Sequence, residues 1–218
     1  MVDSLSAKLR CVDYRCASEC EILKEIHHQV KNNLQVVCSL LRLEGRHAQS
    51  SEDKALLKRS EQRVQSMALV YDALYRSHSP FKVPLHEYVA DLSAQLARSV
   101  QSSELAPSLE LQLDAVFVSS KAATSLGLIA SELLTKRLTA PLLGHSRRVV
   151  KLVLQQHGTG LIFEIRDNAA AVNGDVETTA TLSTQIVVAL VQQLGGTIET
   201  RYEGESVCRV VIPDLSGR

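Results

Sequence analysis

The chain has 218 residues, of which 45% are hydrophobic, so it is long enough to bury one large core or two smaller ones. Lysine plus arginine and aspartate plus glutamate both number 24, which gives a formal net charge of zero. This balance argues against a nucleic-acid binder and a polybasic membrane binder, since each needs an excess of positive charge.

Neither a membrane segment nor a metal-binding cysteine pattern is visible in the sequence. It contains no apolar run long enough to cross a bilayer and no signal-peptide pattern at its start, so we expect a cytoplasmic protein. The cysteines are odd in number and lack the spacing of a disulfide framework or a zinc site. They are Cys11, Cys16, Cys20, Cys38 and Cys208. We therefore predict no metal, no membrane partner and no nucleic-acid partner.

The stretch 22–43, ILKEIHHQVKNNLQVVCSLLRL, is the most informative part of the chain. Apolar residues recur there in steps of three and four, without Gly or Pro between them, at Leu23, Ile26, Val30, Leu34, Val37 and Leu41. This spacing is typical of an α-helix with one buried face. The sequence therefore predicts a long amphipathic helix around an adjacent pair of histidines.

The two histidines of this helix face different surroundings. At about 100° per residue, His27 lies at the edge of the apolar face and is predicted to be largely buried with one satisfied nitrogen. His28 is rotated onto a polar face that also carries Lys24, Lys31, Asn32 and Gln35. The periodicity leaves two interpretations of His28 open, a solvated surface residue or an exposed nucleophile.

The words KEIHHQVKNNLQVVCSLLRLE resemble the phosphoacceptor helix of two-component histidine kinases whose acceptor box reads HRVKN. In this chain the box reads His28, Gln29, Val30, Lys31 and Asn32. Gln29 is the one departure inside the word, since the family usually has Arg there. In that family the histidine that opens the box carries the phosphoryl group, so the resemblance implies that His28 is the phosphorylated residue.

The implied chemistry agrees with the predicted position of His28. A neutral imidazole is a nucleophile near physiological pH, and its phosphoryl group stays labile enough to be passed on. In-line transfer needs access from solvent, which the polar face of the helix provides. Lys24 and Lys31 lie about one turn before and after His28, where they either offset the charge of a phosphohistidine or remain plain solvated lysines.

A second helix is predicted after a short turn. Gly45 is a natural end for the first helix, and Ser50 or Ser51 is a natural start for the next. The second helix carries a near-heptad series, Leu57, Ser60, Val64, Met67, Tyr71 and Leu74. One antiparallel hairpin cannot bury apolar stripes this wide. We predict a homodimer that forms a four-helix bundle, as the resemblance also implies; packing of the stripes on the C-terminal part of the same chain is the alternative.

The sequence predicts two domains. Pro80 and Pro84 break helicity, so we predict a dimerisation and phosphoacceptor hairpin at 1–79 and an α/β sandwich at 80–218. Periodicity predicts helices near 85–100, 120–138 and 182–194, and strands near 109–115, 148–156, 161–166, 197–202 and 207–212. The predicted fold class is α+β, and the second domain has its helices on one face of a mixed sheet.

This second domain resembles the GHKL-type ATPase domain of histidine kinases, but its nucleotide-binding motifs are altered. SELLTKRLTA (131–140) resembles the helix that carries ligands for magnesium and phosphates. Glu132 is kept, whereas the family's Asn, Lys and His are replaced by Lys136, Thr139 and Ala140. Loss of the Asn removes a neutral oxygen ligand for Mg²⁺ and places a cation beside the metal position.

Two further motifs lack the glycines that the family has. IRDNAAAVNG (165–174) resembles the DNGxG box, and it keeps Asp167, which would read the adenine amino group, and Asn168. Its glycines, which let the backbone approach the nucleotide, have become Ala169 and Ala171. The glycines of the lid word, which cradle phosphate, have become Leu182, Ser183 and Thr184.

These features together predict a histidine-containing phosphotransfer protein without ATP-dependent autophosphorylation. His28 would shuttle a phosphoryl group between aspartates of response-regulator receiver domains, which would dock on the polar face of the first helix and on the C-terminal domain. The receiver would supply Mg²⁺, so we expect no cofactor on this chain. The alternatives are an active histidine kinase with an atypical ATP pocket and a non-catalytic receiver-binding module.

Overall fold

The computed structural model describes the backbone of residues 2–76, 82–100, 107–140, 148–168, 181–202 and 204–215, and the side chains from residue 21 onward within these ranges. The chain divides into two compact units, Met1–Lys82 and Val83–Arg218. Pro80, at which the sequence predicts a break in helicity, lies outside the described residues.

The first unit is a helical hairpin of α1 (Val2–His47) and α2 (Ser51–Arg76). Two ion pairs join its helices, Lys31 with Asp72 and Arg42 with Glu61, each at 2.5 Å. The pair that lies later in α1 lies earlier in α2, so the two helices run antiparallel. The predicted hairpin is therefore present.

The turn of the hairpin shows how well local signals place helix ends. Ser50 is the residue that caps α2, because its Oγ accepts a hydrogen bond from the backbone N–H of Asp53 at 2.9 Å. The predicted end of α1 near Gly45 comes too early, because the helix continues to His47. The N–H of Ala48 still bonds to the carbonyl of Glu44 at 2.9 Å, so Gly45 lies inside the helical hydrogen-bond ladder.

The apolar surface of α1 is wider than the predicted stripe. Four of the six predicted positions are half-buried, whereas Ile26 is 47% exposed and Val37 is 41% exposed, which agrees with the prediction that one hairpin cannot bury the whole stripe. Further exposed apolar side chains on the same helix are Ile22, Val36, Leu40 and Leu43. The physical reason is that one antiparallel partner covers only one side of a helix.

The described part of the second unit contains two sheets and three helices. The helices are α3 (Leu85–Val100), α4 (Ser120–Thr139) and α5 (Leu182–Gln193). The strands are β1 (Lys82–Pro84), β2 (Ser108–Leu113), β3 (Phe117–Ser119), β4 (Val149–His157), β5 (Gly160–Asp167), β6 (Thr197–Tyr202) and β7 (Ser206–Ile212). The predicted α+β class and the sheet domain are confirmed.

The main sheet has the strand order β2-β4-β5-β7-β6, and β1 pairs with β3 in a separate two-stranded sheet. β2 runs parallel to β4, and the other neighbours are antiparallel, so the sheet is mixed as predicted. Alternate residues of the three central strands are buried, as expected for one face packed on a helical layer. The two strands that the sequence did not predict, β1 and β3, have three residues each and are too short for an alternation pattern.

The contact between α3 and α4 depends on a glycine. Tyr88 of α3 is fully buried, and burial raises the pKa of its hydroxyl. A Cβ atom built on Gly127 of α4 would lie 1.7 Å from the Tyr88 hydroxyl oxygen. The missing side chain at this position therefore makes the space that the tyrosine ring occupies.

We expect Gly127→Ala to destabilise the second unit by about 1–3 kcal/mol, because the added methyl group forces the Tyr88 ring out of its place. Thermal unfolding followed by circular dichroism measures the effect. Gly45→Ala is the matched control, because its added Cβ would meet only Leu57, at 3.8 Å, and Ala favours a helix. A Gly127→Ala variant that unfolds at the wild-type temperature would contradict this account of the α3–α4 contact.

Candidate functional site

The two histidines of α1 lie against two tyrosines of α2. The ring centroids of His27 and Tyr71 are 5.9 Å apart, and those of His28 and Tyr75 are 6.1 Å apart. Both ring pairs are tilted, by 53° and 49°. The sequence analysis placed Tyr71 in the heptad series but missed Tyr75. The signal for Tyr75 was its position one turn after Tyr71, on the same side of α2.

His28 is exposed, as its place on the polar face predicts. Its Nδ1 lies 3.3 Å from the Nδ2 of Asn32, which is one helical turn further along α1. In the part of the chain that the structure describes, Nε2 has no hydrogen-bond partner, and the neighbouring Tyr75 is itself 54% exposed. The site therefore offers one ring nitrogen to solvent and holds the other against its own helix.

His27 has a different environment. It is half-buried, and its Nδ1 is buried without a hydrogen-bond partner among the described residues. Burial lowers the pKa of His27, because the charged imidazolium loses hydration. His27 therefore stays neutral around pH 7 and serves as a packing residue against Tyr71.

The four predicted neighbours of His28 do not all reach it. Asn32 contacts the ring, whereas Lys31 forms an ion pair with Asp72, whose carboxylate also lies 3.7 Å from Arg76. Lys31 thus ties the two helices together beside the histidine. Within the described residues, Lys24 and Gln35 make no hydrogen bond to His28; Lys24 is half-buried and Gln35 is exposed on the same helix.

A buried ion pair lies in the second unit at the place where the family resemblance implies a nucleotide pocket. Asp167 is 1% exposed and Arg148 is 5% exposed. The Nε of Arg148 donates to Asp167 Oδ1 at 2.9 Å, and its Nη2 donates to Oδ2. Its Nη1 donates to the backbone carbonyl of Ala140 at 2.7 Å. Arg148 therefore binds both oxygens of the carboxylate and links two of the altered motifs, those at 131–140 and 165–174.

Arg148 was missed by the sequence analysis. It precedes the buried run of β4, and its partner stands at the end of the neighbouring β5. The antiparallel pairing of β4 with β5 brings the two together, since Val150 lies opposite Asp167. The only signal in the sequence was an arginine directly before a hydrophobic strand, which is a weak one. Asn168 completes the arrangement, because its Oδ1 accepts from the backbone N–H of Val149 at 2.7 Å.

Glu132, the residue retained in the first altered motif (131–140), also bonds to another side chain of the unit. It is 8% exposed, and its carboxylate accepts a hydrogen bond from the Oγ of Ser183. Ser183 is one of the residues that replace the glycines of the lid motif. The hydroxyl that bonds to Glu132 is therefore a group that a glycine at this position would lack. Lys136 is exposed on the same helix, and the hydroxyl of Thr139 donates to the carbonyl of Thr135 at 2.7 Å.

The N-terminus of α5 is closed by its own side chains. The Oγ1 of Thr181 accepts from the backbone N–H of Thr184 at 3.3 Å, as an N-cap does. An N–H group used in this way is not offered to a phosphate. Ala169 and Ala171, which replace the glycines of the DNGxG word, lie outside the described residues.

The described residues contain neither a metal-binding cluster nor a membrane-spanning helix. No group of three or more His, Cys, Asp or Glu side chains that could hold a metal ion occurs among the described residues. The side chains of Cys11, Cys16 and Cys20 lie outside them. None of the helices, as far as they are described, combines the length and the apolar character that a bilayer span requires.

Comparison with known families finds a match in the N-terminal part of the chain. Residues 25–100 match the HisKA_2 family model, described as histidine kinase. The sensor histidine kinase PdtaS of Mycobacterium tuberculosis (strain ATCC 25618 / H37Rv) is 53% identical over 55 residues, and PdtaS of Mycolicibacterium smegmatis (strain ATCC 700084 / mc(2)155) gives the same identity and length. The matched segment covers 25% of this chain and 11% of each relative.

Comparison with solved structures concerns the fold. The histidine kinase domain of the Erythrobacter litoralis EL346 blue-light activated histidine kinase has a TM-score of 0.66 and 22% identity, and the match covers 89% of this chain and 95% of that one. A longer structure of the same kinase has a TM-score of 0.68 and 24% identity, covering 90% of this chain and 59% of that one. The predicted relationship is confirmed: the chain resembles two-component histidine kinases of the HRVKN type, and its residues 25–100 match their histidine kinase family.

Proposed function

We propose that this chain is a histidine phosphotransfer protein that passes a phosphoryl group between receiver-domain aspartates through His28 and does not phosphorylate itself from ATP. The exposed imidazole on the family-matched helix supports the acceptor role. Mg²⁺ and the electrophilic phosphoryl group come with the receiver domain, so this chain needs to supply one correctly held nucleophile and no cofactor.

The observation that carries the proposal is the buried pair of Arg148 and Asp167. By the family resemblance, Asp167 is the carboxylate that would accept hydrogen bonds from the adenine amino group. Here the guanidinium takes both of its oxygens. Moving the guanidinium aside to admit adenine would leave buried charge without a partner, which costs about 3–5 kcal/mol. Adenine binding therefore competes with an interaction that the fold already contains.

The positions that the family resemblance assigns to Mg²⁺ and phosphate are also altered. Glu132 holds the Ser183 hydroxyl, and the position of the family's Asn is taken by Lys136. A lysine cannot donate an oxygen ligand to Mg²⁺ and repels the ion electrostatically. With the capped start of α5, these changes remove metal ligands and phosphate contacts together.

A second copy of the chain is the proposed cover for the exposed apolar surface of α1. This surface consists of Ile22, Ile26, Val36, Val37, Leu40 and Leu43, each at least 41% exposed. Six exposed large apolar side chains along one side of a helix support an interaction site there. Two hairpins that share this surface form the four-helix bundle expected from the sequence, and His28 stays on the polar side for a receiver domain.

A working histidine kinase is the second candidate function. The retention of Glu132 and Asn168 favours it, as does the name of the relatives, which are sensor histidine kinases. It requires that Arg148 release Asp167 when ATP arrives. A receiver-binding module without phosphoryl transfer is the third candidate, and it makes His28 dispensable.

We expect His28 to be labelled from a receiver domain and not from ATP. The purified chain is incubated either with labelled ATP and Mg²⁺ or with each of a panel of receiver domains phosphorylated beforehand by labelled acetyl phosphate. His28→Ala should lose the receiver-derived label completely. His47→Ala is the matched control, because His47 is another exposed histidine of α1, and it should keep the label. Label from ATP alone would support the kinase, and receiver binding without label would support the module.

We expect Arg148→Met to lower the free energy of unfolding of the second unit by about 3–5 kcal/mol, because it removes the guanidinium that binds both oxygens of the buried Asp167 carboxylate. Chemical denaturation followed by circular dichroism measures this value. The double variant Arg148→Met with Asp167→Asn is the control, since it removes both charges and should recover a large part of the loss. Single and double variants of equal stability would show that the pair does not hold the site closed.

A further inference from the structure

We infer that Asn32 is the positioning residue that decides which ring nitrogen of His28 receives the phosphoryl group. The inference rests on the proposed function and adds the part that the helix itself plays in it. The carboxamide of Asn32 lies against Nδ1 of His28, with Nδ2 at 3.3 Å. No other hydrogen bond to the ring is present among the described residues, so Asn32 occupies Nδ1 and leaves Nε2 open to a phosphoryl donor.

The geometry follows from the helix and from the partner helix. Residues four apart on an α-helix stand one above the other, so the amide reaches the nitrogen of the ring that lies nearer the backbone. The ring of Tyr75, on α2, lies 6.1 Å from the imidazole at a 49° tilt and bounds it on another side. Between them, Asn32 and Tyr75 restrict the rotation of the imidazole and leave Nε2 as the nitrogen without a partner.

The chemistry of the amide allows it to serve either proton arrangement of the ring. A neutral imidazole carries one N–H and one lone pair. The Nδ2 of Asn32 donates to an unprotonated Nδ1, and after a half-turn of the carboxamide the Oδ1 accepts from a protonated Nδ1. Only the second arrangement leaves the lone pair on Nε2. Phosphoryl transfer to Nε2 therefore uses the state in which the Asn32 oxygen holds the proton on Nδ1.

The transfer step then needs no proton to leave the ring. The Nε2 lone pair forms the N–P bond while the P–O bond to the receiver aspartate breaks, and the aspartate carboxylate leaves with the electron pair. The ring gains a positive charge, and its Nδ1–H remains bonded to the Asn32 oxygen. When the phosphoryl group passes to a second receiver, its aspartate oxygen attacks phosphorus, the N–P bond breaks and the pair returns to Nε2.

The test reads the ring directly and needs no receiver. Two-bond ¹H–¹⁵N spectra of the full chain with ¹⁵N-labelled histidine give the His28 tautomer at a pH where the ring is neutral. Treatment with phosphoramidate, a small phosphoryl donor, followed by ³¹P NMR gives the nitrogen that is phosphorylated. We expect the wild type to carry its phosphoryl group on Nε2, with less than about a tenth on Nδ1.

Three variants separate positioning from a merely structural effect. Asn32→Ala should raise the Nδ1 share of the label at least about threefold, because neither nitrogen is held. Asn32→Asp, whose side chain only accepts, should shift the ring towards the Nδ1–H tautomer and keep the label on Nε2. Asn33→Ala is the matched control, because Asn33 is a neighbouring exposed asparagine that does not contact the ring, and it should behave as wild type. Far-UV circular dichroism of each variant monitors helix content.

An Asn32→Ala variant with wild-type tautomer and wild-type label distribution would overturn the inference. This outcome is distinguishable from failure of the proposed function. If the spectra change as expected but no receiver phosphorylates His28, the role of Asn32 is supported and the phosphotransfer proposal fails. If receivers phosphorylate the wild type and Asn32→Ala leaves the phosphorylated nitrogen unchanged, only the inference about Asn32 fails.

Discussion

The buried ion pair of Arg148 and Asp167 is the interaction on which the functional interpretation of this chain depends. A charged pair in an apolar setting is stable only when the geometry is good and the remaining hydrogen-bonding atoms find partners. Both conditions are met, because the guanidinium binds the carboxylate through two nitrogens and donates its third contact to the Ala140 carbonyl. A nucleotide base at this position would therefore have to compete with Arg148 for the carboxylate oxygens.

The two units place their polar side chains differently. The hairpin presents its histidine to solvent, and the Lys31–Asp72 pair fixes the second helix beside it. The sheet unit keeps the strand order and helical layer of its fold, but its polar residues bond to one another. Glu132 with Ser183 and Arg148 with Asp167 are both examples. A scaffold stays stable when buried polar groups find internal partners in place of a ligand.

Much of the fold could be predicted because its elements carry strong local signals. The bounds of α3 follow from an amphipathic run after Pro84, and the start of α2 follows from Ser50. The position of His28 follows from helical periodicity alone. The strands β1 and β3 were missed because three residues show no alternation. For Ile26 and Val37, periodicity identifies the apolar face of the helix but not the molecule that covers it.

In the candidate site, too, some contacts could be predicted from the sequence and others could not. Asn32 was predicted as a neighbour of His28, because residues one turn apart meet on a helix. Tyr75 and Arg148 were not predicted, since their contacts depend on helix pairing and strand register. Likewise, the sequence places Lys31 near His28 but does not reveal that Asp72 binds it. Contacts within one element are readable from spacing, whereas contacts between elements require the tertiary structure.

The most direct test of the central claim is a calorimetric titration of the full chain with ATP in the presence of Mg²⁺. If Arg148 and Ser183 occupy the contacts that a nucleotide needs, the account predicts no saturable heat up to millimolar ATP. Saturable binding that ADP displaces and that Asp167→Asn abolishes would contradict the account, because it would show that the carboxylate is available to adenine.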